Sequence, residues 1–424
     1  MRQLIGPTRF ALALAAVMAI ALASPAAPFA AETKDAAKDA AKETKSNDLI
    51  EALLGGKFDF YARLRFEYVD QDTKVKKAKA STLKTQFGYM TGAFYGVSLY
   101  AQGEDVRVLG AETFNDSLNG RTKYPVVADP RNTKLNQAFI QYQSPFDTLA
   151  KVGRQRITLD NHRWVGNVVF RQNEQTYDAV RLANTSLPDT TVEYMFVNKV
   201  HRIFTDRSVT GLYPMKSHLL RAEYKGFKPG TLIGYAYLLD FNRPIDRGLS
   251  SASVGLRFTG SQALDEDWKA LYTAEYARQV DYANNPRNFG LNYFLIEPGV
   301  SYGPVTGKLG YEVLEGNGTN ALQTPLATGH AFQGWADQFL TTPANGIDDF
   351  YVLASAKVLG VAMTAVYHNF DANKGSAHYG DEVDAVAAYT FLEHFTVELK
   401  YANYMADTFS LDTKKYWASF IVKY

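Results

Sequence analysis

The chain closes with Tyr416-Trp417-Ala418-Ser419-Phe420-Ile421-Val422-Lys423-Tyr424. Tyr416, Ala418, Phe420, Val422 and Tyr424 share one parity; Trp417, Ser419, Ile421 and Lys423 share the other. Two environments alternating residue by residue indicate a β-strand with unlike faces. The apolar-aromatic face runs to the final residue, where the ends of soluble domains fray. A strand that seals a membrane barrel stays paired to its end, with a terminal aromatic in the interfacial girdle. On that reading Trp417 and Lys423 point into the barrel.

Upstream, from Lys57 onward, the same period recurs in about eighteen segments. In the first, Phe58, Phe60, Ala62, Leu64, Phe66 and Tyr68 form one face, and Asp59, Tyr61, Arg63, Arg65 and Glu67 the other. A helix would mix the two sets. Comparable stripes are Ala138/Ile140/Tyr142, Val192/Tyr194/Phe196, Leu220/Ala222/Tyr224, Ile233/Tyr235/Tyr237, Val254/Leu256/Phe258, Trp268/Ala270/Tyr272/Ala274/Tyr276 and Phe395/Val397/Leu399/Tyr401. Short connections (Gly92-Ala93, 144–147, 187–189, 227–230, Gly303-Pro304, 392–394) take turns with long polar ones. The long ones are 70–81, 109–133, 157–175, 198–217, 240–250, 282–288, 315–347, 369–381 and 405–412. The spacing predicts an all-β, up-and-down antiparallel transmembrane barrel with short periplasmic turns and long extracellular loops. An even strand count leaves both termini in the periplasm. A soluble sandwich has no reason to collect its long loops at one end, no blade-length repeat marks a propeller, and exterior aromatics would aggregate in water.

Composition agrees. Aromatics make up 13% of the chain, with 27 Tyr and 26 Phe, yet the mean hydropathy is only -0.23. Apolar surface is therefore dispersed one residue at a time, as strands with one wet face require. Arg2 and Arg9 precede the apolar run Phe10 to Leu22, and small residues follow to Ala31, so residues 1–30 read as a secretory signal peptide. Residues 31–56, with the repeat-like ETKDAAKDAAKETK, read as a periplasmic leader that buries almost nothing, and 57–424 as the barrel. No later segment reaches the ~18 apolar residues of a membrane helix. Cysteine is absent and the net charge is +1, which argues against nucleic acid as a partner.

Eighteen strands are wide enough to leave an aqueous lumen unless loops fold inward. If the apolar parity faces lipid, the other parity lines that lumen: Arg63, Arg65, Lys84, Arg181, Arg221, Arg257, Lys308, Lys400 and Lys423, with Asp59, Glu67, Glu193, Glu223, Glu275, Glu312 and Glu398. Rings of Arg or Lys favour anions, and the planar guanidinium fork suits carboxylates, although scattered acids blunt the field. Cations are densest from Lys151 to Ala183. Parity near Gly153 leaves open whether Arg154 or Arg156 points inward, and Asp160-Asn161-His162-Arg163 reads either as a constriction element or as loop packing.

Other classes find less support. His162, His201, His218 and abundant Ser form no nucleophile–base grouping, so no enzyme activity is expected. The leader is too short for the plug of an active receptor. No cofactor or metal is expected; Asp348-Asp349 and Asp381-Glu382-Asp384 read as solvated loop acids rather than calcium ligands.

Two stretches carry a family resemblance. Gly153-Arg154-Gln155-Arg156-Ile157 with Trp164-Val165-Gly166-Asn167, Phe170-Arg171-Gln172 and Thr176 to Leu182 resembles the alginate export porins of Gram-negative outer membranes. Pro325 to Pro343, containing Trp335, Asp337 and Phe339, resembles that family's long seventh loop. The resemblance implies a monomeric eighteen-stranded barrel in outer-membrane lipid, with an arginine-rich constriction through which a polyuronate passes. It implies polymer contacts at Arg154, Arg156, Arg171 and Arg181. The near balance of lumen acids and bases departs from a dedicated polyanion exporter and favours small anionic or sugar-like solutes as the alternative. The C-terminal strand is the expected handle for the barrel assembly machinery.

Overall fold

The computed structural model describes residues 45–46 and 48–424, so the expected signal peptide and most of the leader lie outside the described residues. A short helix, α1 (Leu49–Leu54), precedes eighteen long antiparallel strands. These are β1 (Lys57–Gln71), β2 (Ala78–Met90), β3 (Val97–Val108), β4 (Asn132–Gln143), β5 (Thr148–Gln155) and β6 (Thr176–Asn184). There follow β7 (Thr190–His201), β8 (Leu212–Tyr224), β9 (Thr231–Leu239), β10 (Ser251–Ala263), β11 (Trp268–Asp281) and β12 (Gly290–Tyr302). The last six are β13 (Val305–Glu315), β14 (Gly346–Val358), β15 (Val361–Asp371), β16 (His378–Phe391), β17 (Phe395–Ala406) and β18 (Thr413–Lys423).

Each strand pairs with its sequence neighbour, and β18 pairs with β1 from Thr413 opposite Gln71 to Lys423 opposite Tyr61. The sheet is a closed barrel without a free edge, which hydrocarbon requires because lipid offers backbone groups no partner. Tyr424 N–H donates to the Phe60 carbonyl (2.9 Å) and Phe60 N–H to the Tyr424 carbonyl (3.0 Å), so the seam stays bonded to the last residue. Parity on β18 is as expected: Tyr416 and Phe420 are exposed on the outer face, whereas Trp417 and Ser419 are buried inside.

Each of the nine long polar stretches contains a loop, all nine at one end, although several extend into strands, as 198–217 does where only 202–211 is loop. The loops are numbered here 1 to 9; loop 2 (109–131), loop 3 (156–175) and loop 7 (316–345) are the largest. Eight short turns join the strands at the other end, including two at 264–267 and 359–360 that the sequence reading does not contain. In the second, Leu359 (φ 49°) and Gly360 (φ 85°) form a two-residue turn with both residues left-handed. Leucine stands where asparagine or aspartate would normally announce such a turn.

Two expectations need correction. The stripe Ile233/Tyr235/Tyr237 on β9 faces the lumen, not lipid, and all three residues are buried. Trp164 of loop 3 packs on Tyr235 and Tyr237 at ring separations of 5.7 and 6.5 Å, so this part of the inner wall is an apolar seat for a loop. The acids Asp349, Glu382 and Asp384 are not solvated loop residues. They lie buried on the inner face of β14 and β16, where loop 7 bonds Glu382 and Asp384 and His368 of β15 bonds Asp349.

Candidate functional site in the lumen

Loop 3 leaves β5 and folds into the barrel. Its partners come from strands around the circumference, a distribution possible only for a segment inside the lumen. Arg63 on β1 donates to the Gln172 side chain (3.0 Å) and to the carbonyls of Val169, Phe170 and Arg171. Lys84 on β2 bonds Glu174 (2.7 Å) and lies 3.4 Å from Glu104 on β3. On the far wall Arg163 pairs with Glu312 of β13 (3.0 Å), and the Trp164 indole N–H donates to Glu275 of β11 (2.8 Å). Asp160 pairs with Arg221 of β8 (2.7 Å). The segment 160–163 thus supplies bonds from the loop to the wall.

Loop 7 covers the wall from β13 to β18. Backbone N–H groups of Trp335 and Ala336 donate to Asp384 (3.0 Å) and Glu382 (2.6 Å). The Gln333 side chain bonds Glu312, and Phe339 packs among Phe370, Tyr379, Tyr404 and Phe409. The two loops then meet. Val165 bridges to Leu326, Gly166 N–H donates to the Leu326 carbonyl (2.9 Å), and Thr328 N–H donates to the His162 carbonyl (3.1 Å). Gly166 is required here because a Cβ would lie 2.1 Å from Thr328 Oγ1.

At the junction Asp337 bonds Lys415 (2.7 Å) and His330 Nδ1 (2.7 Å), with Arg171 at 3.5 Å. Burial works against ionisation of Asp337, but Lys415, His330 and Arg171 outweigh it and hold the carboxyl well below its ordinary range. His330 shifts the opposite way for a base: burial, then the Lys400 ammonium, push it well below the usual histidine value. The ring is therefore neutral, with Nδ1–H donating to Asp337 and Nε2 accepting from Lys400 at 2.6 Å. Phe170 stacks on it with centroids 3.3 Å apart, and Trp417 meets it edge-on. Trp417, read inward from the terminal alternation, is thus the floor of the junction.

The arginines of the motif separate. Arg156, just past the end of β5, turns into the lumen and holds Glu174 (2.5 Å) and Gln86. Burial opposes ionisation of Glu174, but Arg156 and Lys84 outweigh it, so it stays a carboxylate well below its ordinary range. Arg154 shares parity with the exposed, outward Val152 and sits opposite Ala138 of the outer stripe. It pairs with Asp178 (2.8 Å), which also bonds His201, so it belongs to the outer wall and not to the lumen. Gly153 makes the transition possible at φ 126°, where its missing Cβ would strike the Ala138 carbonyl. Arg171 bridges Glu67, Asp129 and Asp337; Arg65 bonds Asp129 of loop 2 and lies 3.4 Å from Glu67.

Several of the remaining inner-face residues pair with one another, across strands or along one strand. Arg181 bonds Glu193; Arg221 bonds Glu193 (3.1 Å) and Glu223; Arg257 bonds Glu275 (2.6 Å); Lys308 bonds Glu297 (2.8 Å). Lys400 is buried over the Trp335 ring, with Glu398 two residues along the same face. Much of the lumen charge is matched locally, and Arg63 and Lys151 are among the exceptions. Among the described residues no carboxylate lies within ion-pair distance of Arg63, whose partners are neutral oxygens, or of Lys151, which sits over the Phe139 ring at 4.2 Å. Lys151 is also the direct register partner of Arg181. Like charges facing each other across a ladder repel. The sequence reading missed Lys151, Glu174 and Asp129. Alternation from Val152 places Lys151 inward, whereas no periodicity reaches the two loop acids.

The comparisons with known proteins agree with this architecture. The alginate export family profile matches residues 60–282, just over half of the 424 and short of loop 7. No curated protein matches the sequence. Among solved structures, Pseudomonas aeruginosa OpdK with vanillate is similar at TM-score 0.68 and 12% identity, over 87% of this chain and 99% of that one. Acinetobacter baumannii OccAB4 is similar at TM-score 0.68 and 13% identity, over 90% and 99%. Acinetobacter baumannii OccAB2 gives 0.68 and 15%, over 88% and 99%. The fold is that of outer-membrane porins, and its exposed aromatic-aliphatic outer face is the lipid-contacting surface. This chain belongs to the alginate export family, as a porin-type β-barrel channel of the bacterial outer membrane.

Proposed function

We propose that the channel passes carboxylate-bearing saccharides, uronates in particular, passively down their gradient, with loops 3 and 7 forming the selective constriction. The observation that carries this reading is local: Lys151 has no carboxylate within ion-pair distance and opposes Arg181 across the ladder, and Arg63 is bonded to neutral oxygens. A field of this kind favours anions, and guanidinium groups are suited to planar carboxylates. The family match supports a uronate as cargo. The OpdK structure with vanillate, a monocarboxylate, supports small carboxylates as a class that such barrels accommodate. Short uronates fit a lumen crossed by two docked loops better than an extended polymer does. Export of a polyuronate is the second reading, favoured by the family alone. Closure of the barrel within one chain supports a monomer, and β18 is the segment we expect the assembly machinery to take up.

The test is the reversal potential of the purified barrel in planar bilayers under a salt gradient. The expected sign is that of anion preference, with current blocked by oligouronate and unaffected by neutral oligosaccharide. Cation preference would sink the proposal. Block that strengthens steadily with uronate chain length would favour the polymer reading.

A further inference from the structure

Helix α1 lies apart from the lumen residues described above, and its placement is informative. Asp48 caps it, accepting from Ile50 N–H (2.7 Å) and Glu51 N–H (3.0 Å), which fixes where the helix starts. The helix is tied to the outside of the barrel through Tyr89. That hydroxyl donates to the Leu53 carbonyl (2.7 Å) and accepts from Gly56 N–H (3.0 Å). Tyr89 has the parity of Phe87 on β2, exposed on the outer wall, and its ring lies 4.4 Å from that of Phe58, likewise exposed. Gly92 N–H, in the turn between β2 and β3, donates to the Ala52 carbonyl (2.8 Å), and Ala52 is the buried residue of the helix. Just upstream, Lys45–Ser46 pairs in parallel with Ala93–Phe94 of the same turn. The helix therefore sits at the periplasmic rim, outside the lumen.

Its remaining surface is apolar where a water-facing helix would be polar. Leu49, Ile50, Leu53 and Leu54 are all exposed, Leu54 at 78%. At 3.6 residues per turn they occupy an arc of roughly 140°, with Glu51 outside it and Ala52 against the barrel. Tyr89, which bonds Leu53, lies beside Phe58 and shares the parity of Phe87, so the arc lies next to the belt that these residues form on the lipid-facing wall. Four large exposed apolar groups on one short helix are costly in water and favourable at a membrane interface.

We propose that α1 is an in-plane anchor seated in the interfacial region of the periplasmic leaflet, its leucine face buried among lipid chains beside Phe58. The occupant of the face is the lipid surface, argued from continuity with the lipid-facing wall. The anchor holds the start of β1 at the rim, next to the seam that β1 forms with β18.

The test uses the absence of cysteine from the chain. Leu54→Cys and Glu51→Cys, each carrying a polarity-sensitive fluorophore, are folded into vesicles of phosphatidylethanolamine and phosphatidylglycerol, with heat-modifiable migration confirming the barrel. The label at 54 is expected to emit to the blue of that at 51, and shallow spin-labelled lipid is expected to leave roughly half its intensity or less. Ile50→Cys, on the same arc, repeats the measurement if Leu54→Cys folds poorly. Free quenching of position 54 by aqueous iodide, with indifference to spin-labelled lipid, overturns the proposal. Shielding that appears only when a second barrel or a periplasmic protein is added overturns it as well, because the face would then serve a protein partner.

Discussion

Arg171 of loop 3 lies 3.5 Å from Asp337 of loop 7, a contact between two segments that enter the lumen from different strands. Asp337 is also held by Lys415 of β18 and by His330, and Arg171 by Glu67 of β1. One carboxylate thus fastens both loops to the seam side of the barrel. Removing its charge in Asp337→Asn leaves Arg171 and Lys415 facing each other without their common partner. Breaking a buried pair in this way costs about 3–5 kcal/mol. The expected result is loop 7 opening without loss of the barrel: new protease cleavage between residues 325 and 343, and noisier, larger single-channel currents. Unchanged cleavage and conductance would show that the loops are held by other contacts.

The same junction sets a pH dependence. Burial and Lys400 depress His330, so between its folded value and the ordinary histidine value of about 6.5 the undocked loop binds more protons than the docked one. Docking therefore weakens as pH falls below about 6.5. Asp337 is depressed too, so its contribution persists through mild acid and is lost only below the ordinary carboxylate range of about 4. Channel noise is expected to rise between about pH 7.5 and about pH 5.5 in the native chain. His330→Gln, which keeps a donor and an acceptor but no titration there, is expected to flatten that response. An identical acid response in the variant would assign the effect to another group.

Much of this barrel can be read from its chain, for a physical reason. In lipid every strand must alternate and every edge must pair, so β1, β18 and the taking of turns between loops and turns are written residue by residue. The failures have an equally definite origin. On β9 the aromatic parity points inward because Trp164 of loop 3 needs an apolar seat at Tyr235 and Tyr237. Where a loop refolds into the lumen, the lumen ceases to be a wet face and the parity rule loses its premise. Arg154 shows the same limit, since Gly153 and the end of β5 place Arg156 in the lumen and Arg154 on the outer wall. Asp129 and Glu174 lie on loops, where nothing periodic predicts a partner, and each completes an ion pair with a strand residue that alternation had identified.

The contact between loops 3 and 7 predicts a steric variant. Gly166 leaves room for Thr328, and a Cβ there would also come within 2.9 Å of the His162 Cβ. Gly166→Ala is expected to cost about 1–3 kcal/mol of docking, and Gly166→Val to separate the loops. The measured outcome is increased conductance with unchanged heat-modifiable migration, because the strands are untouched. A Gly166→Val channel with native conductance would mean that the two loops part freely in the working protein.

The proposed anion preference rests on Lys151 and Arg63. Lys151 faces Arg181 across the ladder between β5 and β6, and only Arg181 has a carboxylate partner, Glu193. Lys151→Glu converts the pair into a matched one and removes the local cation excess, whereas Lys151→Gln removes a single charge. Anion preference, read from reversal potentials at low salt where screening is weak, is expected to fall in the order native, Gln, Glu. Arg181→Glu places a second acid beside Glu193 and is expected to shift the potential in the same direction. If none of the three moves it, the periplasmic half of the lumen does not select, and the preference must come from Arg63 and the loop junction.

The seam yields the last prediction. Tyr424 exchanges two backbone hydrogen bonds with Phe60, its ring stacks on His394 at 4.1 Å, and it meets Phe395 edge-on. Deleting this one residue removes both bonds at the point where β18 joins β1. At about 0.5–1.5 kcal/mol per hydrogen bond and a similar amount for the aromatic contacts, the loss is about 2–4 kcal/mol. It acts at the periplasmic rim, far along the strands from the loop junction. The truncated barrel is therefore expected to unfold at lower urea concentration and to insert more slowly into vesicles, while its reversal potential stays native. A change in selectivity with no change in stability would reverse this assignment and place Tyr424 in the conduction path instead of the closing edge.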